Sequence, residues 1–167
     1  MTGDDETTSG EGEAPGELDE WAPRPLPKLT PETRPFWEGA ADGRLLLNRC
    51  RECGLTYYYP RAICPDCFGD ETDWIESSGE GSVYSYSATE RVAGWPQEAL
   101  PLVVAYVELD EGPRVLTNLV GCEPADVEIG AEVAVRFVPS GGDDEENGEE
   151  DGEEDDEELA VPVFELV

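Results

Sequence analysis

The stretches Cys-Arg-Glu-Cys at 50–53 and Cys-Pro-Asp-Cys at 64–67 decide the fold of this 167-residue chain. Two residues between the cysteines of a pair allow one tight turn to present two thiolates to the same ion. Gly54 follows the first pair and Pro65 lies inside the second, and both residue types favour such turns. Two turns of this kind predict a tetrahedral zinc cage. The predicted ligands are Cys50, Cys53, Cys64 and Cys67.

This predicted metal site is closed, because all four positions are thiolates and none remains for water. Catalytic zinc keeps an open position, so the pattern predicts a structural ion. Four thiolates on one divalent ion leave a net charge of about −2. Arg49, Arg51 and Arg61 are close enough in sequence to offset it. A rubredoxin-like iron site remains an alternative, and a visible absorption spectrum distinguishes iron from zinc.

The segment before the cysteines predicts a short helix over 33–43. Pro35 suits its first turn and Gly43 suits its end. Phe36 and Trp37 are its large apolar residues. We expect a zinc ribbon over 44–71, with brief strands at 45–47 and 57–59.

From residue 72 onward the pattern is all-β, and we expect one domain over 72–167. Short segments of alternating apolar residues are separated by turn residues, which favours a small closed barrel or a sandwich. The five predicted strands are 81–90, 102–109, 113–121, 131–138 and 159–166.

The charge is strongly acidic, with 41 acids, ten bases and a formal net charge of −31. Residues 1–20 hold eight acids and 141–158 hold thirteen, without any base in either stretch. We expect residues 1–32 to be a disordered acidic tail with a proline-rich arm, and 141–158 to be a disordered loop. A calcium site in 141–158 is an alternative, but the spacing is not that of an EF-hand.

Acidity throughout the chain, with a single lysine, predicts a protein from an extreme halophile, since molar salt screens charge within ~3 Å. The alternative is an acidic-tailed protein of an ordinary cytosol. No run approaches the ~20 apolar residues that span a bilayer, and the acidic start is unlike a signal peptide. We therefore expect a cytoplasmic protein without membrane contact.

Catalysis by this chain is not expected, because it contains no histidine, the commonest general base. Cys122 is the remaining cysteine, and Glu123 beside it disfavours a reactive thiolate. Nucleic-acid binding is also disfavoured by the acidic charge. It stays open as an alternative, because ribbons and barrels serve that role elsewhere.

The order of motifs resembles the zinc-ribbon/OB-fold proteins associated with acyl-CoA enzymes. Three segments carry most of the likeness: R-P-F-W-E-G at 34–39, G-R-L-L-L-N-R-C-R-E-C-G at 43–54 and Y-Y-Y-P-R-A-I-C-P-D-C at 57–67. The later G-S-V-Y-S-Y at 81–86 and I-G-A-E-V at 129–133 are similar too. The resemblance implies an N-terminal helix, a rubredoxin-like zinc ribbon and a five-stranded OB-fold barrel.

The resemblance also implies a non-catalytic accessory subunit of a thiolase or a thiolase–hydroxymethylglutaryl-CoA synthase assembly, one that helps to form the CoA channel. On this hypothesis Phe36 and Trp37 anchor the partner subunit. From charge alone, we predict contacts to CoA phosphates from Arg44, Arg49, Arg61 and Arg91.

Overall fold

The computed structural model describes residues 29–93, 95, 97, 100–140 and 159–167. The tail expected over 1–28 and the acidic loop expected over 141–158 lie outside the described residues. The elements are α1 (Arg34–Ala41), β1 (Leu46–Cys50), β2 (Thr56–Tyr57), β3 (Thr72–Glu76), β4 (Glu80–Thr89), β5 (Leu102–Leu109), β6 (Arg114–Val120), β7 (Glu132–Ser140) and β8 (Leu159–Leu166). Among the residues described, no helix has the length and apolarity to cross a bilayer.

The helix α1 lies between the two β-structures of the molecule. Pro35 occupies its first turn, and the chain leaves it through Gly43 at a φ of 74°. Its buried residues are Phe36, Trp37, Gly39 and Ala40. These residues turn the helix towards β1 of the ribbon and towards β7 and β8 of the barrel. One short helix therefore joins both β-structures.

The ribbon contains a three-stranded antiparallel sheet in the order β2-β1-β3. Its β3 runs from the register pair Cys50–Thr72 to the pair Leu46–Glu76. The predicted division at residue 72 places this strand with the barrel instead. The sequence analysis predicts no separate strand over 72–76, whereas the structure forms one there and pairs it with β1. The strand expected at 57–59 is also shorter than predicted, since β2 ends at Tyr57.

The remaining five strands form a closed barrel in the order β4-β5-β6-β8-β7, with β4 paired to β7. Every neighbouring pair is antiparallel except β6 and β8, which are parallel. This closure removes the exposed sheet edges. The structure confirms a mainly β chain with one short helix and a five-stranded barrel of the OB type, and it excludes a sandwich.

Close packing inside the barrel depends on Gly81 of β4. A Cβ at this position would lie 2.5 Å from the carbonyl oxygen of Glu108 on β5, so only glycine allows the two strands to approach. A bulge between Val83 and Ser85 then shifts the register of the same strand pair. Bulges of this kind bend a strand and help a sheet to close.

The junction between ribbon and barrel is held by Glu111, in the turn between β5 and β6. Its Oε2 accepts a hydrogen bond from Ser77 Oγ at 2.8 Å, and its Oε1 accepts one from Ser78 N at 2.7 Å. Ser77 N donates in turn to Leu45 O at 2.8 Å, just before β1. One carboxylate therefore fixes the linker between β3 and β4 on the barrel.

We expect Glu111→Gln to lower the free energy of unfolding by about 1–2 kcal/mol at pH 7, since it weakens two charge-assisted hydrogen bonds. Burial raises the pKa of Glu111, but the donors on Ser78 and Ser77 outweigh it and lower the pKa below its usual 4.5. A depressed folded-state pKa stabilises the protein above the unfolded value. The difference between wild type and variant should therefore persist above pH 4.5 and shrink as the pH falls through the lower folded pKa.

Urea unfolding of both proteins between pH 3 and pH 7 measures this difference. The neighbouring Asp110→Asn is the matched control, since Asp110 is exposed and its replacement removes the same charge. An equal loss of stability in both variants would contradict the proposed clamp.

Candidate metal centre

The two cysteine turns have the same backbone geometry. In the first, Gly54 N donates to Cys50 O at 3.0 Å, and Cys50 N donates to Leu55 O at 2.9 Å. The second turn repeats both bonds with residues fourteen positions later: Phe68 N to Cys64 O at 3.2 Å, and Cys64 N to Gly69 O at 2.9 Å. Each turn therefore presents its two sulfurs in the same way.

The four sulfurs converge on one point. All four Sγ atoms lie within 4.8 Å of one another. The Cys50–Cys67 and Cys53–Cys64 sulfur pairs are 3.5 and 3.6 Å apart. A tetrahedron with Zn–S bonds of ~2.3 Å has edges of about 3.8 Å, so these residues fit one zinc ion. Four ligands from two turns complete the coordination, which makes the site structural and leaves no place for a substrate.

Backbone amides surround the sulfurs. Burial raises the pKa of Cys64, but the N–H groups of Cys67 and Asp66 outweigh it, so that the pKa falls to about 7. The N–H of Gly69 lowers the pKa of Cys67, but burial and hydrogen bonds among the four sulfurs outweigh it and raise the pKa to about 12. The pKa values of Cys64 and Cys67 move in opposite directions, so without a metal the thiols do not all ionise at neutral pH. A divalent ion needs all four as thiolates, so its binding would release the remaining protons.

Tyr57 braces the site from inside, and no feature of the sequence pointed to it. Its ring is buried against Cys50 and Cys64, one ligand from each turn. Its hydroxyl donates to Arg61 O at 2.9 Å, and burial raises its pKa despite a hydrogen bond with Thr72. A tyrosine inside a run of three gave no signal for this role, because only the fold decides which ring turns inward.

The arginines near the site differ in what they contact. Arg51 Nε donates to Asp73 Oδ2 at 2.7 Å and its Nη2 contacts Oδ1, so this guanidinium joins the first turn to β3. The bond to Asp73 raises the pKa of Arg51, and the bond to Arg51 lowers that of Asp73. Arg49 is exposed on β1, and the backbone N–H of Arg61 donates to Asn48 Oδ1 at 3.3 Å.

The four arginines predicted to contact CoA phosphates occupy two parts of the structure. Arg44, Arg49 and Arg61 belong to the ribbon, whereas Arg91 follows β4 of the barrel. Arg44 Nη2 lies 3.0 Å from Asp42 Oδ2 and its Nη1 lies 4.0 Å from Glu76. Within the described ranges the other three make no ion pair, and their side chains are exposed.

Phe36 and Trp37 are buried, which contradicts the expectation that they anchor a partner. Phe36 is 0 % exposed and Trp37 is 9 % exposed. The ring of Phe36 packs edge-on against Tyr58 and Tyr59, with centroids 5.8 and 5.6 Å apart. The apolar surfaces of Phe36 and Trp37 are therefore already buried within this chain, where these side chains pack α1 against the ribbon.

A nucleic-acid-binding barrel would require an arginine-rich surface. Within the residues described, the barrel has none. Arg114 Nε bonds Glu108 at 2.8 Å, and Arg136 Nε bonds Glu165 at 2.8 Å. Cys122 is also no candidate nucleophile, because burial, together with Asp126 and Glu123, raises its pKa.

Comparison with known proteins agrees with this architecture. Residues 37–73 match the family model of the ChsH2 rubredoxin-like zinc ribbon domain, and residues 74–138 match that of the ChsH2 C-terminal OB-fold domain. A DUF35 domain-containing scaffold protein of Methanocaldococcus jannaschii is 39 % identical over 99 residues, which cover 58 % of this chain and 70 % of that protein. The chain belongs to the ChsH2/DUF35 family of zinc-ribbon and OB-fold proteins.

Other members of the family carry names of acyl-CoA enzymes. A probable enoyl-CoA hydratase alpha subunit of Thermomonospora curvata is 37 % identical over 115 residues, which cover 69 % of this chain but 36 % of that protein. The chain thus spans about a third of this relative's length. A benzoylsuccinyl-CoA thiolase subunit, BbsA, of Thauera aromatica is 30 % identical over 111 residues, which cover 62 % of this chain and 76 % of that protein.

A solved structure is also similar. A chain of the Ltp2–ChsH2(DUF35) aldolase matches 84 % of this chain and 98 % of its own length, with a TM-score of 0.64 and 33 % sequence identity. A chain with a similar fold therefore occurs in a solved structure whose name joins two proteins, Ltp2 and ChsH2(DUF35).

Proposed function

We propose that this chain is a non-catalytic accessory subunit of an acyl-CoA enzyme, with a thiolase-type catalytic subunit as its partner. The observation that carries the proposal is the match to nearly the whole of a chain in the Ltp2–ChsH2(DUF35) aldolase. Relatives named as a benzoylsuccinyl-CoA thiolase subunit and as DUF35 scaffold proteins support it.

The chemistry of the chain supports a structural role. The chain has no histidine, and its metal site is closed by four sulfurs. Bond-making in the complex would then belong to the partner, while the ribbon and barrel hold a fixed shape beside it. We propose the exposed Arg49, Arg61 and Arg91 as contacts for CoA phosphates, since none of them is neutralised by a carboxylate in the described ranges.

Purification from the native host tests this function. We expect the tagged chain to bring down a larger acyl-CoA enzyme that cleaves 3-ketoacyl-CoA in the presence of CoA. A partner with hydratase or aldolase activity would keep the accessory role and overturn the thiolase assignment. The absence of any acyl-CoA enzyme from the purified material, at the salt concentration of the host, would overturn the proposal as a whole.

A further inference from the structure

Phe68 stands out on the surface of the ribbon. Its side chain is 77 % exposed, although it is a large apolar group. Its backbone φ of 62° lies in the left-handed region, which glycine adopts freely but which L-residues other than asparagine and aspartate rarely adopt. The position therefore carries backbone strain, while most of the ring remains exposed to solvent.

The first cysteine turn shows what this position requires. Gly54 occupies the equivalent place, donates to its cysteine in the same way and has a φ of 78°. Glycine adopts this conformation without steric cost. A phenylalanine at the equivalent position of the second turn is consequently unfavourable for folding. Observed strain without a folding benefit points to a functional role.

Two further exposed apolar residues lie beside the same metal site. Ile63 precedes Cys64 and is 55 % exposed, and Leu55 follows Gly54 and is 38 % exposed. Single exposed apolar residues are ordinary, but a group of them marks an interaction surface. Each is within two residues of a metal ligand, so all three belong to the two cysteine turns whose sulfurs converge. We name them the knuckle patch: Leu55, Ile63 and Phe68.

Acidic residues are close in sequence to the knuckle patch. The exposed carboxylates of this part of the ribbon are Glu52, Asp66, Asp70 and Glu71. Arg51 is already engaged by Asp73, which leaves the exposed Arg61, two residues before Ile63, as one base against four carboxylates. An apolar centre within an acidic rim is complementary to an apolar pocket lined by lysine and arginine.

We infer that the knuckle patch is the surface by which the ribbon docks on the catalytic subunit, with Phe68 inserted into an apolar pocket rimmed by basic residues. This inference rests on the proposed function for the identity of the occupant. It assigns the contact with the partner to exposed residues instead of the buried Phe36 and Trp37. A metal ion bound by the four cysteines would restrain the two turns that carry the patch, which would reduce the entropy lost on binding.

Phe68→Gly separates folding from docking. Glycine relieves the left-handed strain but increases the entropy of the unfolded chain, and these effects oppose each other. We expect one bound zinc and a Tm within about 3 °C of wild type. Titration of the co-purified catalytic subunit with the variant should show affinity at least ~10-fold weaker, as for loss of a central aromatic anchor. Ile129→Ala removes a similarly exposed apolar side chain from the barrel and should leave that affinity unchanged.

A photo-cross-linking residue at position 68, introduced in the native host, identifies the occupant directly. We expect a cross-link to the acyl-CoA enzyme that co-purifies with the wild type. If that enzyme co-purifies but does not cross-link to position 68, the docking surface is wrong and the proposed function still holds. The same conclusion follows if the enzyme binds Phe68→Gly as tightly as it binds the wild type. A cross-link to a protein of another class would overturn the stated occupant, and it would overturn the proposed function as well if no acyl-CoA enzyme co-purified.

Discussion

Replacing Cys50 with serine is expected to abolish stoichiometric zinc binding and to unfold the ribbon. Cys50 is 1 % exposed, ends β1 and pairs in register with Thr72 of β3. The ion would therefore connect the end of β1 to the second cysteine turn, where the local buried cluster consists of Cys50, Tyr57 and Cys64. Structural zinc in small domains contributes roughly 10–16 kcal/mol at neutral pH, and loss of one ligand should weaken binding by at least ~100-fold. Zinc content and thermal unfolding measure both effects.

Cys122→Ser is the matched control, since Cys122 lies outside the four-sulfur cluster. It should keep one zinc ion and the wild-type Tm. The purified wild type should be colourless, whereas iron at this site would absorb visible light. Full zinc content and an unchanged Tm in Cys50→Ser would contradict the closed four-cysteine site.

Phe36→Ala is expected to lower the free energy of unfolding by about 3–5 kcal/mol, as for other buried phenylalanines. The ring is 0 % exposed and lies 4.9 Å, centroid to centroid, from Trp37 and 5.6 Å from Tyr59. Its loss would leave a cavity where α1 meets the ribbon. Chemical denaturation should show a lower midpoint.

Phe68→Ala is the comparison for this substitution, because it removes the same ring from a position that is 77 % exposed. We expect a change within about 0.5 kcal/mol, as is usual for surface positions. Equal effects of the two substitutions would show that the ring of Phe36 is not part of the core.

The strands of the barrel could be predicted from the sequence because their apolar residues alternate between core and solvent. The predicted segments 102–109 and 159–166 coincide with β5 and β8. The parallel pairing of β6 with β8 could not be predicted from the alternation of apolar residues, because a pattern along one strand contains no information about its neighbour. The strand β3 was not predicted, and its pairing with β1 depends on contacts that a local pattern does not contain. The halophilic origin remains a prediction from charge.

Side-chain roles at the helix were harder to predict. Large aromatic residues at 36 and 37 are consistent with a core or with an interface, and the sequence does not distinguish the two. The structure buries them against Tyr58 and Tyr59. The exposure of Phe68 was not predictable, because its environment depends on a backbone angle that the sequence does not reveal.

The sequence by itself determined the metal centre, since two pairs of cysteines at this spacing have one efficient use, and it determined the β character of the segments after residue 72. Only the tertiary structure decided which aromatic rings are available to a partner. Ligand spacing is a local property of a few consecutive residues, whereas burial is the sum of contacts among segments far apart in the chain. The four cysteines are thus predictable from sequence, while the surface around them becomes visible only after folding.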